Sequence, residues 1–213
     1  MTKFGYQIPK NGERFEDVGE ATQLLAQHAG KLSSVATAID IGCGSGYLSL
    51  CLRSQGILAD GVDINPDAVA LAMKNAEAQK LDCQFFVSDL FANVQKKYDL
   101  IIFNPPVGSV SSGRGNRILE RLKSFIPKGT VLTKIAYPLI RRSRRALIRR
   151  FLADADRYLT PNGYTLLHLD RRELDLLQGR KYTILDRYMT GNTVLINGTG
   201  VGGQVQTDVF STI

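Results

Sequence analysis

The sequence predicts an α/β fold with a mostly parallel, seven-stranded sheet and helices on both faces. Three observations lead there. An apolar run over residues 35–41 meets three alternate glycines, Gly42, Gly44 and Gly46, and then a helix pattern over 47–53. A second apolar run, 58–64, leads into Asn65-Pro66-Asp67, where Asn65 can cap a helix and Pro66 fits its first position. A third, 98–103, has five apolar residues around Asp99, as expected of a strand buried on both faces.

The remaining elements follow in order. Residues 1–19, with Pro9, Gly12 and Gly19, read as an irregular arm. Residues 20–29 place Ala21, Leu24, Leu25 and His28 on one side of a helix that Gly30 ends. After the Asn65 start, Ala68, Leu71, Ala72 and Ala76 give the next helix its apolar face, and a short strand covers 84–87. Residues 109–116 read as a mobile Ser/Gly loop, 116–125 as a helix, and 131–137 as a strand or extended segment. An amphipathic helix over 141–159 buries Leu147, Ile148, Phe151, Leu152, Ala155 and Leu159. Thr160-Pro161-Asn162-Gly163 ends it before a strand over 164–169. A short helix over 171–178 and strands near 181–188 and 193–196 complete the sheet, and no role attaches to the glycine-rich tail, 198–213.

The 213 residues suit one domain spanning 1–213, and 44% apolar with 22% charged residues is ordinary for a globular chain. No apolar run reaches transmembrane length and residues 1–12 lack a signal-peptide core, so the expected location is cytoplasmic. Three cysteines without a C-x-x-C argue against a disulfide framework, and two distant histidines argue against zinc. A net charge of +7 permits an anionic partner.

Strand, glycine turn and helix in succession form a nucleotide-binding corner, in which the helix start points unpaired N–H groups at a ligand. The third glycine comes one residue earlier than in the dinucleotide pattern G-x-G-x-x-G. Together with Asp40, two residues before Gly42, the run resembles the D/E-x-G-x-G-x-G motif of the class I S-adenosylmethionine (SAM) methyltransferases. The resemblance implies a Rossmann-like fold. It also implies that Gly42, Cys43, Gly44 and Gly46 carry the methionine part of SAM, with Asp40 helping to hold its amino group. An ordinary strand-to-helix turn is the competing reading.

Asp63 ends the second strand, 21 residues after Gly42, where a carboxylate can accept both ribose hydroxyls. Capping of the Asn65 helix is its alternative role. Ile64 can pack on adenine. The resemblance further implies that Asp89 receives the adenine amino group and Leu90 offers a backbone contact; a plain helix N-cap at Asp89 is the alternative.

Asn104-Pro105-Pro106-Val107 closes the strand over 98–103. The prolines fix the backbone and remove two donors. The Asn104 side-chain oxygen and the Pro105 carbonyl can accept hydrogen bonds from an acceptor –NH2, beside the SAM methyl group. Asn104, Pro105 and Pro106 are therefore the candidate catalytic residues.

These features together resemble the Asn-Pro-Pro SAM-dependent N-methyltransferases, in particular the protein-glutamine (release-factor) methyltransferase family, over about 20–169. Glu20-Ala21-Thr22 is similar to that family's Glu/Pro-Asp-Thr, with Ala21 in place of Asp, and Val107 stands where the family carries Tyr or Phe. The resemblance implies methyl transfer from SAM, leaving S-adenosylhomocysteine, to a protein or peptide amide nitrogen. The alternatives are an RNA base, a small-molecule amine, a catalytically silent SAM-fold binding protein and an NAD-dependent oxidoreductase. Arg141, Arg145 and Arg149 share a helix face that is either solvated or a strip for RNA phosphates.

Overall fold

The computed structural model describes residues 19–106, 131–188 and 191–197. Seven strands form one sheet: β1 (Thr37–Ile41), β2 (Leu58–Asp63), β3 (Phe85–Val87), β4 (Tyr98–Phe103), β5 (Leu159–Asp170), β6 (Tyr182–Tyr188) and β7 (Gly191–Asn197). The strand order is β3-β2-β1-β4-β5-β7-β6. The five strands from β3 to β5 run parallel, while β7 pairs antiparallel with both β5 and β6.

Helices α1 (Glu20–Ala29), α2 (Tyr47–Ser54) and α3 (Pro66–Gln79) cover one face, and α4 (Val131–Ala155) covers the other. The alternation of each strand supplies both cores. Ala38, Ala59, Leu100, Ile102, Leu166 and Leu195 meet α1 and α2. Their neighbours Ile39, Val62, Ile101, Phe103, Leu167 and Val194 meet Ile148, Phe151, Leu152 and Ala155 of α4. The expected stripe of α4 is thus the buried one.

Two expectations change. Residues 131–137 are helical, part of the 25-residue α4, and not a strand. The helix runs through Pro138 even though proline removes a helix donor. At its other end α4 stops at Ala155, a 3-10 turn spans Asp156–Tyr158, and Leu159 already belongs to β5. Thr160-Pro161-Asn162-Gly163 is consequently an irregularity within β5, where the pairing skips from Tyr98–Leu159 to Leu100–Tyr164. Asp99 anchors this corner. Its carboxylate accepts from Thr160 Oγ1 at 2.8 Å and from the N–H groups of Ala36 and Thr37 at 3.0 and 2.9 Å.

The predicted loop at 109–116, the helix at 116–125, Val107, the tail and the arm up to residue 18 lie outside the described residues. His28 and His168 are both buried, and no cluster among the described residues could hold a metal ion. No described helix is long and apolar enough to cross a membrane.

Candidate functional site

The chain leaves β1 for β2 and β3 on one side and returns to place β4 on the other. This is the topological switch point, where open parallel sheets bind ligands beyond their strand ends. Ile41 of β1 and Phe103 of β4 are register partners, so the glycine turn and the Asn-Pro-Pro turn emerge side by side. Val62 pairs with Ile41, which puts Asp63 on the other flank.

The glycine turn needs its glycines: Gly42, Gly44 and Gly46 have φ of 76°, 53° and 82°, a region costly for side-chain-bearing residues. A Cβ on Gly46 would also stand 2.9 Å from Ala72 Cβ, so the residue permits α2 and α3 to close together. Both Gly42 and Cys43 N–H groups donate to Val62 O, at 2.7 and 2.9 Å. Asn75 of α3, buried and absent from the sequence-based reading, donates to Ser45 O at 2.9 Å and latches the turn from outside. The Cys43 thiol points into the core beside Leu50, Val69 and Phe85, where burial pushes its pKa up; only its backbone can serve a ligand.

Asp63 performs two structural tasks. Its Oδ2 accepts from Gly44 N–H at 3.0 Å and its Oδ1 from Asn65 N–H at 2.9 Å. The helix itself is capped by Asn65, whose Oδ1 accepts from Asp67 N–H at 3.1 Å. A carboxylate has further lone pairs, so these bonds hold Asp63 in place without exhausting it. Asp40 is 3% exposed and hydrogen-bonds to no described residue. Burial, then the nearby Asp63 charge, push its pKa up to about 8.

Ile64, 40% exposed, offers an apolar surface beside Asp63. Leu90 is held at φ 52° by Ser88, whose hydroxyl donates to Leu90 O at 2.8 Å while accepting from Asn93 N–H at 3.0 Å. Asp89 meets Arg150 Nη2 at 2.8 Å. Both side chains of that pair are largely exposed, so it contributes little and opens at little cost.

Asn104 donates through Nδ2 to Thr22 Oγ1 of α1, at 2.9 Å. This fixes the amide and leaves Oδ1 without a donor among the described residues. The prolyl carbonyls differ from expectation. Arg144 Nη1 donates to Pro105 O and, at 2.9 Å, to Pro106 O, so one lone pair of each prolyl carbonyl is already engaged. With no N–H at either proline, these two residues offer only carbonyls as backbone handles, and a buried guanidinium donates to both.

The positions expected to hold SAM fit it on these grounds. A bare-backbone turn, a buried carboxylate with no hydrogen bond to a described residue, an acidic strand end and an exposed isoleucine line one sheet edge. A family model of the methyltransferase small domain matches residues 15–129, more than half of the chain.

The chain belongs to the methyltransferase small domain family.

A Methanocaldococcus jannaschii protein provisionally named a protein N5-glutamine methyltransferase is 48% identical over 114 residues, covering 44% of this chain and 58% of that one. The release factor glutamine methyltransferase of Haemophilus influenzae is 30% identical over 140 residues, covering 61% of this chain and 44% of its own length. The chain therefore spans about half the length of these relatives. Among solved structures, the Thermus thermophilus 16S rRNA N2 G1207 methyltransferase, in complex with SAM and guanosine, superposes with a TM-score of 0.61 at 19% identity. It covers 86% of this chain and 44% of that one. This likeness establishes the class I methyltransferase fold.

Asn75, Arg144 and Glu173 are contributors that sequence reasoning missed, and Thr22, part of the Glu20-Ala21-Thr22 match, had been given no role at the site. Arg144 had a signal: it lies one turn before Ile148, on the buried stripe rather than the exposed face. Arg145 also departs from expectation. It pairs with Asp175 through both terminal nitrogens, at 3.0 and 2.5 Å, and donates to Arg172 O at 2.7 Å. A neighbouring carboxylate thus already neutralises the middle of the supposed phosphate strip, while Arg149 is exposed and the Arg141 side chain lies outside the described residues.

Proposed function

We propose that the protein is a cytoplasmic SAM-dependent N-methyltransferase whose acceptor is an amide nitrogen of a protein or peptide. The single observation that carries this reading is the Asn104–Thr22 hydrogen bond at 2.9 Å. It commits Nδ2 to the scaffold and presents Oδ1 at the end of β4, next to the glycine turn. Protein-glutamine methyl transfer in the relatives' names supports the choice of acceptor.

SAM supplies a methyl group on a positively charged sulfonium. The chain's own tasks are to bind, align and exclude water. Gly42, Cys43, Gly44 and Gly46 offer backbone to the methionine part, Asp40 its carboxylate to the amino group, and Asp63 its remaining lone pairs to the ribose. Ile64, Asp89 and Leu90 face the adenine. Asn104 Oδ1 accepts one acceptor N–H and so turns the nitrogen lone pair toward the methyl carbon. As positive charge develops on that nitrogen, the same hydrogen bond strengthens. No strong base is required, because the proton can leave after transfer. Pro105 and Pro106 act by shaping the turn.

The rival reading is an RNA base nitrogen, favoured by the net charge of +7 and the exposed Arg142 and Arg149. Tritiated-methyl transfer from SAM into fractionated lysate separates the two. Label removed by protease and resistant to RNase supports the amide reading, and label removed by RNase overturns it.

A further inference from the structure

Arg144 and Glu173 form a buried ion pair that no binding role explains: Nε meets Oε1 at 2.9 Å, and Nη2 meets Oε2 at 3.2 Å. The other donors of Arg144 go to Pro105 O, Pro106 O at 2.9 Å and His168 O at 3.3 Å. An arginine has five N–H donors, and here every one has an acceptor. Glu173 is fixed in turn, because its Oε2 also accepts from Asp170 N–H at 2.9 Å, within a capping box that starts the 3-10 helix Arg171–Leu177.

From this arrangement we infer that Arg144 is a positioning residue for methyl transfer, holding the Asn-Pro-Pro turn so that Asn104 Oδ1 meets the acceptor nitrogen. The inference rests on the proposed reaction and adds to it the device that sets its geometry. The physical need is plain. Pro105 and Pro106 have no N–H, so that half of the turn has no backbone donor of its own. Its backbone can be gripped there through the two carbonyls, by a donor from elsewhere. Arg144 grips them from α4, on one face of the sheet, while Thr22 holds Asn104 from α1, on the other. The planar fork matters as well as the charge. Lysine has a flexible ammonium that cannot reach two prolyl carbonyls and a bidentate carboxylate at once. Among the described residues Glu173 accepts from Arg144 and from Asp170 N–H, not from the turn, and so fixes the guanidinium plane.

The test compares the parent with Arg144→Lys and Glu173→Gln. A peptide-chain release factor serves as the acceptor, with tritiated SAM. Three quantities are read: the single-turnover transfer rate, SAM affinity by calorimetry, and the NMR signal of the Asn104 side-chain NH2, identified by its loss in Asn104→Ala. Expected for Arg144→Lys is a fall in transfer of roughly tenfold to a hundredfold, as small misplacement of a reacting pair costs. SAM affinity should stay within about twofold, since the ion pair touches none of the cofactor's expected contacts. The Asn104 NH2 signal should shift or broaden. Glu173→Gln, which keeps the prolyl contacts, should show the same pattern more weakly. If a folded Arg144→Lys protein keeps the parent's Asn104 signal, the inference is overturned, whatever the transfer rate. Parental transfer by that variant would overturn it too. If the parent itself labels no acceptor, the proposed reaction fails separately, and the NMR comparison still decides whether Arg144 positions Asn104.

Discussion

Asn104 Nδ2 and Thr22 Oγ1 lie 2.9 Å apart across 82 residues of sequence, joining the end of β4 to the first helix. In this arrangement the bond engages the amide nitrogen and leaves the oxygen toward the site. Without it the amide can rotate and present its NH2 group, a donor, where an acceptor is required. Thr22→Val keeps the shape and removes the hydroxyl. Transfer should fall about tenfold, roughly one hydrogen bond's worth, with SAM affinity within about twofold. Thr22→Ser should behave as the parent. Rapid-quench transfer beside a SAM titration checks both.

Asp63→Ala should weaken SAM binding about a hundredfold, or 2–3 kcal/mol, through loss of charge-assisted hydrogen bonds. The variant also loses the acceptor for Gly44 N–H, so the glycine turn itself loosens. Calorimetry reads the affinity. An unchanged dissociation constant in a folded variant would remove Asp63 from the ribose site.

The pH dependence of SAM binding follows from Asp40. Its folded pKa, pushed up to about 8, stands above the ordinary carboxylate value of about 4. Between those values the folded chain holds a proton that the unfolded chain has lost. Stability of the ligand-free protein should therefore decline as pH rises from about 4 to about 8 and level off above that. A cationic amino group favours the ionised carboxylate, so binding below pH 8 releases a proton. Affinity should strengthen with pH, by up to about tenfold per unit, and level off above 8. Asp40→Asn should bind more weakly and abolish the slope. Calorimetry in buffers of different ionisation enthalpy measures the proton directly.

Asp99 makes the opposite prediction. Burial tends to raise its pKa, but hydrogen bonds from the Thr160 hydroxyl, Thr37 N–H and hydroxyl, and Ala36 N–H together hold it below the usual range. A depressed folded pKa gives stability that is present above about pH 4 and lost as pH falls through the folded value. Asp99→Ala should cost about 2–3 kcal/mol, because it frees donors from β1 and β5 at once. Urea denaturation at pH 7 and pH 3 tests this, with the gap between variant and parent shrinking at the lower pH.

Much of this was legible in the sequence where local rules and the global fold agree. The glycine turn, the Asn65 cap with Pro66, and the doubly buried β4 each have a short-range signature, and all three stand where expected. The segment 131–137 and Thr160-Pro161-Asn162-Gly163 misled because tertiary packing overrode the local signals. Ile148 and Phe151 bind α4 to the sheet, and Asp99 draws Thr160 into β5. Long-range polar contacts were the least visible. Thr22 and Arg144 meet the Asn-Pro-Pro turn from 82 and 38 residues away, and no periodicity reports such a meeting. Arg145 looked like one more surface cation until Asp175 was placed beside it.

The most direct test of the central claim is single-turnover methyl transfer by Asn104→Ala, read with SAM affinity on the same preparation. The variant deletes the acceptor oxygen at the end of β4 and leaves Asp40, Asp63 and the glycine turn in place. Expected is a loss of roughly a hundredfold or more in transfer, on the scale of removing one preorganised polar contact, with SAM binding near normal. Parental transfer by the folded variant would contradict it, reducing the Asn-Pro-Pro turn to a strand terminator.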